Sequence, residues 1–332
     1  MLSDDDVIRC PVALRNPFQV ESLPFLSRVH RAAFRKRRRL SKRFVGKPAK
    51  RLFTFLTRRG VSGEGTFSIE VDGRQRQMRF NASNTQFGAL YLPQSLPVYE
   101  PETSALLDLL VGDNDVFFDV GANWGWYSLL LASRPGFTGS VHAFEPFPTT
   151  FLDLSSVVEQ AGLSQRIHCH DVALADKAGE ISMGFSDGIQ SGLARLGESG
   201  GTIVRMVRLD DMSLPSPAVI KIDAEDHELE VLQGAEATIA AARPLIVFEN
   251  WLHRDNPDLT LAPIRFLAER GYRFFYPGWI AGDRDCVVQD LALPPILTLV
   301  PMLTAQRFQL PSQLNIVAVP HCRIDAFRGR FA

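Results

Sequence analysis

The chain has 332 residues, 36 Lys and Arg against 37 Asp and Glu, and 45% hydrophobic content. That length permits a large buried core in one elaborated domain or two, and the composition is globular rather than disordered or fibrous. Its longest apolar stretches, such as ALPPILTLVPML over residues 292–303, are proline-broken and fall short of the roughly 18–20 residues that span a bilayer, so no transmembrane helix is expected.

The N-terminus, MLSDDDVIRC, is acidic and lacks the basic-then-apolar order of a secretory signal. Cys10, Cys169, Cys286 and Cys322 are scattered with no CxxC, so neither a disulfide framework nor a zinc site is indicated and a cytoplasmic setting is expected. Residues 23–63 hold 14 of the 36 basic residues and no acid, with RKRRRLSKR at 35–43. Such a block suits the phosphates of nucleic acid or anionic lipid, or docks on the protein's own acidic surface. Leu40, Phe44, Leu52, Phe53, Phe55 and Leu56 interleave with the charges. This pattern admits a basic amphipathic helix making peripheral contact with an anionic membrane, at its inner face.

Two period-2 stretches across Asp72 and Gly73 predict a β-hairpin over 65–82. Residues 99–111 have helical spacing with Pro101 near the start. Strands and helices then alternate: strand 116–120, helix 124–133, strand 140–145, helix 148–161, strand 166–172. After an excursion over 174–212, rich in Gly and Ser and expected to form an inserted hairpin, come strand 217–223, helix 226–241, strand 244–250, helix 260–270, and strands 272–277 and 313–320. The continuously apolar strands VFFDV, VIKI and LIVFE fit a mostly parallel, seven-stranded, doubly wound α/β sheet covered on both faces. The chain thus reads as a basic extension with a hairpin, residues 1–98, followed by an α/β domain, residues 99–332.

In such a sheet the ligand lies beyond the carboxyl ends of the strands. The turn after the first strand reads DVGANWGW, with Asp119, Gly121, Asn123 and Gly125. Its G-x-x-x-G spacing is neither the G-x-G-x-x-G of a pyrophosphate site nor a P-loop, and Trp124 is bulky for a diphosphate. Glu145 ends the next strand, placed to accept hydrogen bonds from ribose hydroxyls, and Asp171 ends the third, placed toward an adenine amino group. Three acids at successive strand ends beside a glycine turn point to a nucleoside with a non-phosphate tail, with S-adenosylmethionine the candidate cofactor.

The blocks DVGANWGWYSLLLA, VHAFEPFPTTF, DVALAD, VRLDD, IKIDAEDHELEVLQGA and RPLIVFEN resemble, in order and spacing, the FkbM family of S-adenosylmethionine-dependent methyltransferases. The resemblance covers roughly residues 116–250. It implies a Rossmann-like methyltransferase fold and O-methylation of a hydroxyl, commonly on a sugar, glycan or polyketide-like product. Where that family usually shows K-I-D-V-E-G, this chain has Ala224 for Val and Asp226 for Gly, which bears on substrate choice more than on fold.

Methyl transfer to a hydroxyl needs alignment and a general base. Asp223 and Glu225, two apart at the end of the fourth strand, would point the same way in an extended segment. They are the first candidates for the base, with or without an ion, followed by His227 and then His253. His227 equally suits a helix-capping role. Glu249 and Asn250 end the fifth strand and could complete the site. The basic block raises RNA methylation as an alternative, but IKIDAED lacks the N/D-P-P-Y/F of base-amine methylation. A catalytically inactive, membrane-peripheral adaptor is the non-enzymatic alternative, and the intact Asp119, Glu145 and Asp223 argue against it.

Overall fold

The computed structural model describes residues 7–12, 14–34, 42–61, 63–92, 98–185, 194–196, 201–280 and 296–331. Most of the basic run at 35–43 and the loop around Ser191, expected to bear on substrate choice, lie outside the described residues. Strands β1 (Ile8–Pro11) and β2 (Phe18–Ser22) precede helices α1 (Phe25–Ala33) and α2 (Lys47–Arg58). The predicted hairpin follows as β3 (Glu64–Val71) and β4 (Arg74–Asn81). Asp72 and Gly73 turn it at φ 50° and 73°, the signs of a type I′ turn. Strand β2 adds a third member to this small sheet.

The α/β part opens with α3 (Pro101–Leu110), β5 (Val116–Val120), α4 (Trp126–Ala132), β6 (Ser140–Phe144), α5 (Pro148–Ala161) and β7 (Ile167–His170). Proline starts both α3 and α5, where a missing amide hydrogen has no intrahelical partner to lose. Strands β8 (Ala173–Leu174), β9 (Gly179–Phe185), β10 (Ala194–Leu196) and β11 (Thr202–Val207) form a separate four-stranded sheet. Within it β9 and β11 are the antiparallel pair expected of the excursion. The chain continues through β12 (Val219–Ile222), α6 (Glu228–Gly234), α7 (Glu236–Ala242), β13 (Leu245–Trp251), α8 (Pro257–Glu269), β14 (Tyr272–Ile280), β15 (Ile296–Met302), β16 (Gln313–Pro320) and α9 (Ile324–Gly329). The single helix expected over 226–241 is therefore two, interrupted at Ala235 (φ −111°, ψ 14°).

The main sheet runs in the order β1, β15, β14, β16, β13, β12, β5, β6, β7. All seven expected strands belong to it, and β15 and β1 extend one edge antiparallel, making nine. From β13 to β7 every neighbour is parallel. Strand β16 runs antiparallel between β13 and β14. Successive side chains enter opposite cores, as the two-residue period requires. Phe117 packs with Leu107 of α3, Leu130 of α4 and Val157 of α5, whereas Phe118 joins Leu232 of α6, Ile239 of α7 and Ile264 of α8. The first core continues into the small sheet through Phe67, Ile69, Met78 and Phe80, with Trp124 edge-on to Phe67 at 5.8 Å. No helix among the described residues is long and apolar enough to cross a membrane.

The chain winds from β5 outward to β7, then returns to β12 on the other side of β5. This reversal opens a crevice beyond the carboxyl ends of β5 and β12.

Candidate active site

A cleft of about 240 Å³ occupies that crevice. Gly121, Asn123, Glu145, Asp223 and Glu225 line it, five of the eight site residues named from the sequence. Asp119, Asp171 and His227 do not.

Gly121 has φ 72°, and a Cβ there would stand 1.9 Å from the Asp223 carbonyl oxygen. The ends of β5 and β12 thus approach at a separation that only glycine allows. The Gly121 and Ala122 amides both donate to the Phe144 carbonyl at 3.0 Å, tying the turn to β6. Asn123, at φ 52°, donates its amide to Glu145 Oε2 at 3.0 Å, and Phe147 donates its amide to Glu145 Oε1 at 2.9 Å. Burial pushes the Glu145 carboxyl up to about 7, against those two donors, which favour the charged form.

Asp119 lies beneath this turn, fully buried. Its Oδ2 accepts from Ser128 Oγ of α4 at 2.6 Å, and Oδ1 stands 4.0 Å from Lys221 Nζ without a hydrogen bond. Burial raises its pKa and Lys221 opposes the rise. Asp119 therefore braces α4 and Lys221 from below. Asp171, expected on the adenine side, has a side chain 68% exposed and 3.6 Å from Arg205 Nη2. The neighbouring Val172, Ala173 and Leu174 line the cleft instead, so that wall is apolar rather than acidic.

On the β12 side, Lys221 is buried and donates from Nζ to Asp223 Oδ2 at 3.2 Å. Burial alone would lower its pKa, but Asp223, Asp119 and Glu100 together hold it above the ordinary lysine value. Residues 224–227 form a turn closed by the His227 amide on the Ala224 carbonyl at 3.2 Å. Both central residues are left-handed, Glu225 at φ 50° and Asp226 at φ 78°. This is where the related motif carries glycine; Asp is among the few side chains that tolerate the conformation, and here Asp226 Oδ1 pairs with His253 Nε2 at 2.7 Å. Glu228 folds back so that its Oε1 accepts from the Ala224 amide at 3.0 Å, and burial pushes its pKa up to about 8. His227 sits off the cleft, 3.9 Å from Glu230 Oε2 at the start of α6.

Two further acids complete the wall. Glu100, at φ 38° just before α3, accepts from the Tyr127 hydroxyl at 2.6 Å. Glu249 of β13 accepts from Trp251 Nε1 at 2.9 Å on one oxygen and from Gln313 Nε2 on the other. Burial first, then the charge of Asp223, raises both carboxyls, Glu249 to about 9. Burial thus favours the neutral form of Glu249, and Asp223, with a side chain 31% exposed, is within reach of an entering molecule. Of the residues expected at the end of the fifth strand, Glu249 lines the cleft. Asn250 is buried in a structural node, accepting from Arg307 Nε at 2.5 Å and donating to the Thr260 carbonyl at 2.9 Å. Glu100 and Tyr99 were not anticipated; the only sequence signal is their place ahead of the proline that starts α3.

Residues 119–274 match the methyltransferase FkbM domain. The hexuronic acid methyltransferase AglP of Haloferax volcanii is 29% identical, over 41% of this chain and 56% of that protein. The 31-O-demethyl-FK506 methyltransferase FkbM of Streptomyces tacrolimicus is 31% identical, over 37% of this chain and 60% of that protein. The chain thus spans a little over half the length of these relatives. Among solved structures, a methyltransferase FkbM from Methylobacillus flagellatus KT is 20% identical, covering 56% of this chain and 44% of that one, with a TM-score of 0.38.

Proposed function

We propose, from the match of residues 119–274 to the methyltransferase FkbM domain, that the chain methylates a hydroxyl of a sugar, glycan or other small hydroxylated metabolite using S-adenosylmethionine. The observation that supports this most is the meeting, in one cleft, of a buried carboxylate beside an apolar strip and a cluster of acids. Glu145 and residues 172–174 make the first part; Glu100, Asp223 and Glu249 make the second.

These residues fit the cofactor chemically. Its ribose needs an acceptor for two hydroxyls, its base needs an apolar slot, and its ammonium and sulfonium are cations, for which a wall of carboxyls is complementary. When bound, S-adenosylmethionine supplies an electrophilic methyl carried on a sulfonium. Glu145 would take the ribose hydroxyls, Val172 and Leu174 would cover the base, and Asn123 would stand at the amino-acid end. Asp223, anchored by Lys221, would accept the proton of the acceptor hydroxyl, with Glu225 beside it. Protonated Glu249 would donate a hydrogen bond to an acceptor oxygen. Much of the acceleration would come from alignment.

Incubating the full chain with methyl-labelled S-adenosylmethionine and a panel of neutral sugars, uronic acids and nucleotide sugars tests the reading. Label in an alkali-stable methyl ether is expected. Label only in an alkali-labile methyl ester overturns the hydroxyl assignment, and label only in added RNA overturns the sugar or small-metabolite assignment.

A further inference from the structure

We propose that α2 and the turn before it form a docking surface for an anionic lipid bilayer. This stands apart from the methyl-transfer reading, since none of its residues lines the cleft. Helix α2 buries one side against α1, where Phe53 stacks on His30 with ring centroids 4.5 Å apart and planes 17° apart. Its other side carries large apolar groups outward: Leu52 is 44% and Phe55 54% exposed, and in the preceding turn Phe44 is 70% and Val45 40% exposed. Positions 48, 52, 55 and 59 recur at three- and four-residue steps, so they share one face of the helix. Four exposed large apolar side chains, two phenylalanines, a leucine and a valine, within residues 44–55 are a feature that a solvated helix avoids.

The charges around this face have one sign. Lys47, Lys50, Arg51, Arg58 and Arg59 flank it, and the Arg59 guanidinium lies 5.0 Å from the Phe55 ring centroid. Residues 23–63 contain no Asp or Glu, so the segment carries no acid of its own to neutralise them. An amphipathic helix lying in a membrane interface combines these two features, apolar side chains entering the acyl boundary and cations at headgroup level. A nucleic-acid backbone would engage the cations but leave Leu52 and Val45 in water, which is why the bilayer is the better match.

The test is co-sedimentation of the full chain with vesicles of equimolar phosphatidylcholine and phosphatidylglycerol, and with phosphatidylcholine alone. At about 0.1 M salt, where charges act over roughly 10 Å, binding to the anionic vesicles only is expected. Leu52→Glu with Phe55→Glu should lower the partition coefficient at least about tenfold. Lys47→Gln with Lys50→Gln should lower it about fivefold per charge removed. All four side chains are exposed, so an unchanged melting temperature is expected for both variants. Phe44→Ser, in the π-helical turn that leads into α2, provides a second apolar variant outside α2 itself and should also weaken binding. Absence of vesicle binding, or equal binding by wild type and both apolar variants, overturns the proposal. Preferential binding to an RNA oligonucleotide, lost only in the Gln variant, overturns it in favour of nucleic acid.

Discussion

Replacing Gly121 with alanine would place a methyl group 1.9 Å from the Asp223 carbonyl oxygen, on a residue whose φ is 72°. Two costs add. A left-handed conformation costs an L residue about 1–2 kcal/mol. Relieving the overlap requires the ends of β5 and β12 to part by roughly 1 Å, and forced overpacking of that kind costs about 1–3 kcal/mol. Together they remove about 2–5 kcal/mol, a large fraction of the roughly 5–15 kcal/mol that holds a domain folded. Gly136→Ala isolates the first cost, because Gly136 has φ 83° and no neighbour within 4 Å of the added methyl. Urea unfolding of the two variants should therefore differ by the overlap alone, about 1–3 kcal/mol. The Gly121 variant should also bind S-adenosylhomocysteine more weakly, since the same shift displaces the turn that donates to Glu145. Equal destabilisation by both substitutions would refute the inference that close approach of β12 is what makes glycine obligatory at 121.

Other outcomes follow from the same contacts. Glu145, Glu228 and Glu249 are raised by burial from 4.5 to about 7, 8 and 9. At these groups the folded state binds more protons than the unfolded one; below about pH 6.5 the buried His30 and His142, lowered to about 4, oppose this, so stability should fall as pH rises from about 6.5 to about 9. Glu249→Gln should flatten the part above pH 8, and a melting profile that rises across this window contradicts the burial argument. Asp226→Ala loses the His253 hydrogen bond and places alanine at φ 78°, for a cost of about 1–3 kcal/mol. Asp226→Gly loses the hydrogen bond alone and should cost less, so the reverse order in urea would remove left-handed strain from the account. Lys221→Met strips the cation from Asp119, Asp223 and Glu100 and should destabilise by about 3–5 kcal/mol at pH 7. The deficit should shrink in acid as the carboxyls take up protons; a deficit independent of pH would show that packing, not charge, is what Lys221 provides.

Strands β5, β12 and β13 were legible because each is a short apolar run and a sheet covered on both faces demands such runs. Strands β1 and β15 were not. Ile8–Pro11 is four residues long and is defined as a strand by pairing with residues 296–299, nearly the whole chain away, and no local pattern carries that information. The apolar stretch that includes β15 could be judged too short for a bilayer, but its partner could not be read. The strand-end rule located Glu145 and Asp223, yet misplaced Asp171 by one residue, because past His170 the chain leaves the sheet and Val172 takes the inward position. Glu100 escaped notice since it precedes a helix rather than ending a strand. His227 was drawn toward the site by its neighbours in sequence, but the left-handed pair at 225 and 226 turns the chain so that Glu225, not His227, meets the cleft.

The most direct test of the account is calorimetric titration of S-adenosylhomocysteine into the full chain and into Glu145→Ala. The account predicts micromolar binding by the wild type and affinity at least about tenfold weaker in the variant, a difference of about 1.4 kcal/mol. No heat at millimolar ligand, or the same affinity in both proteins, would contradict it.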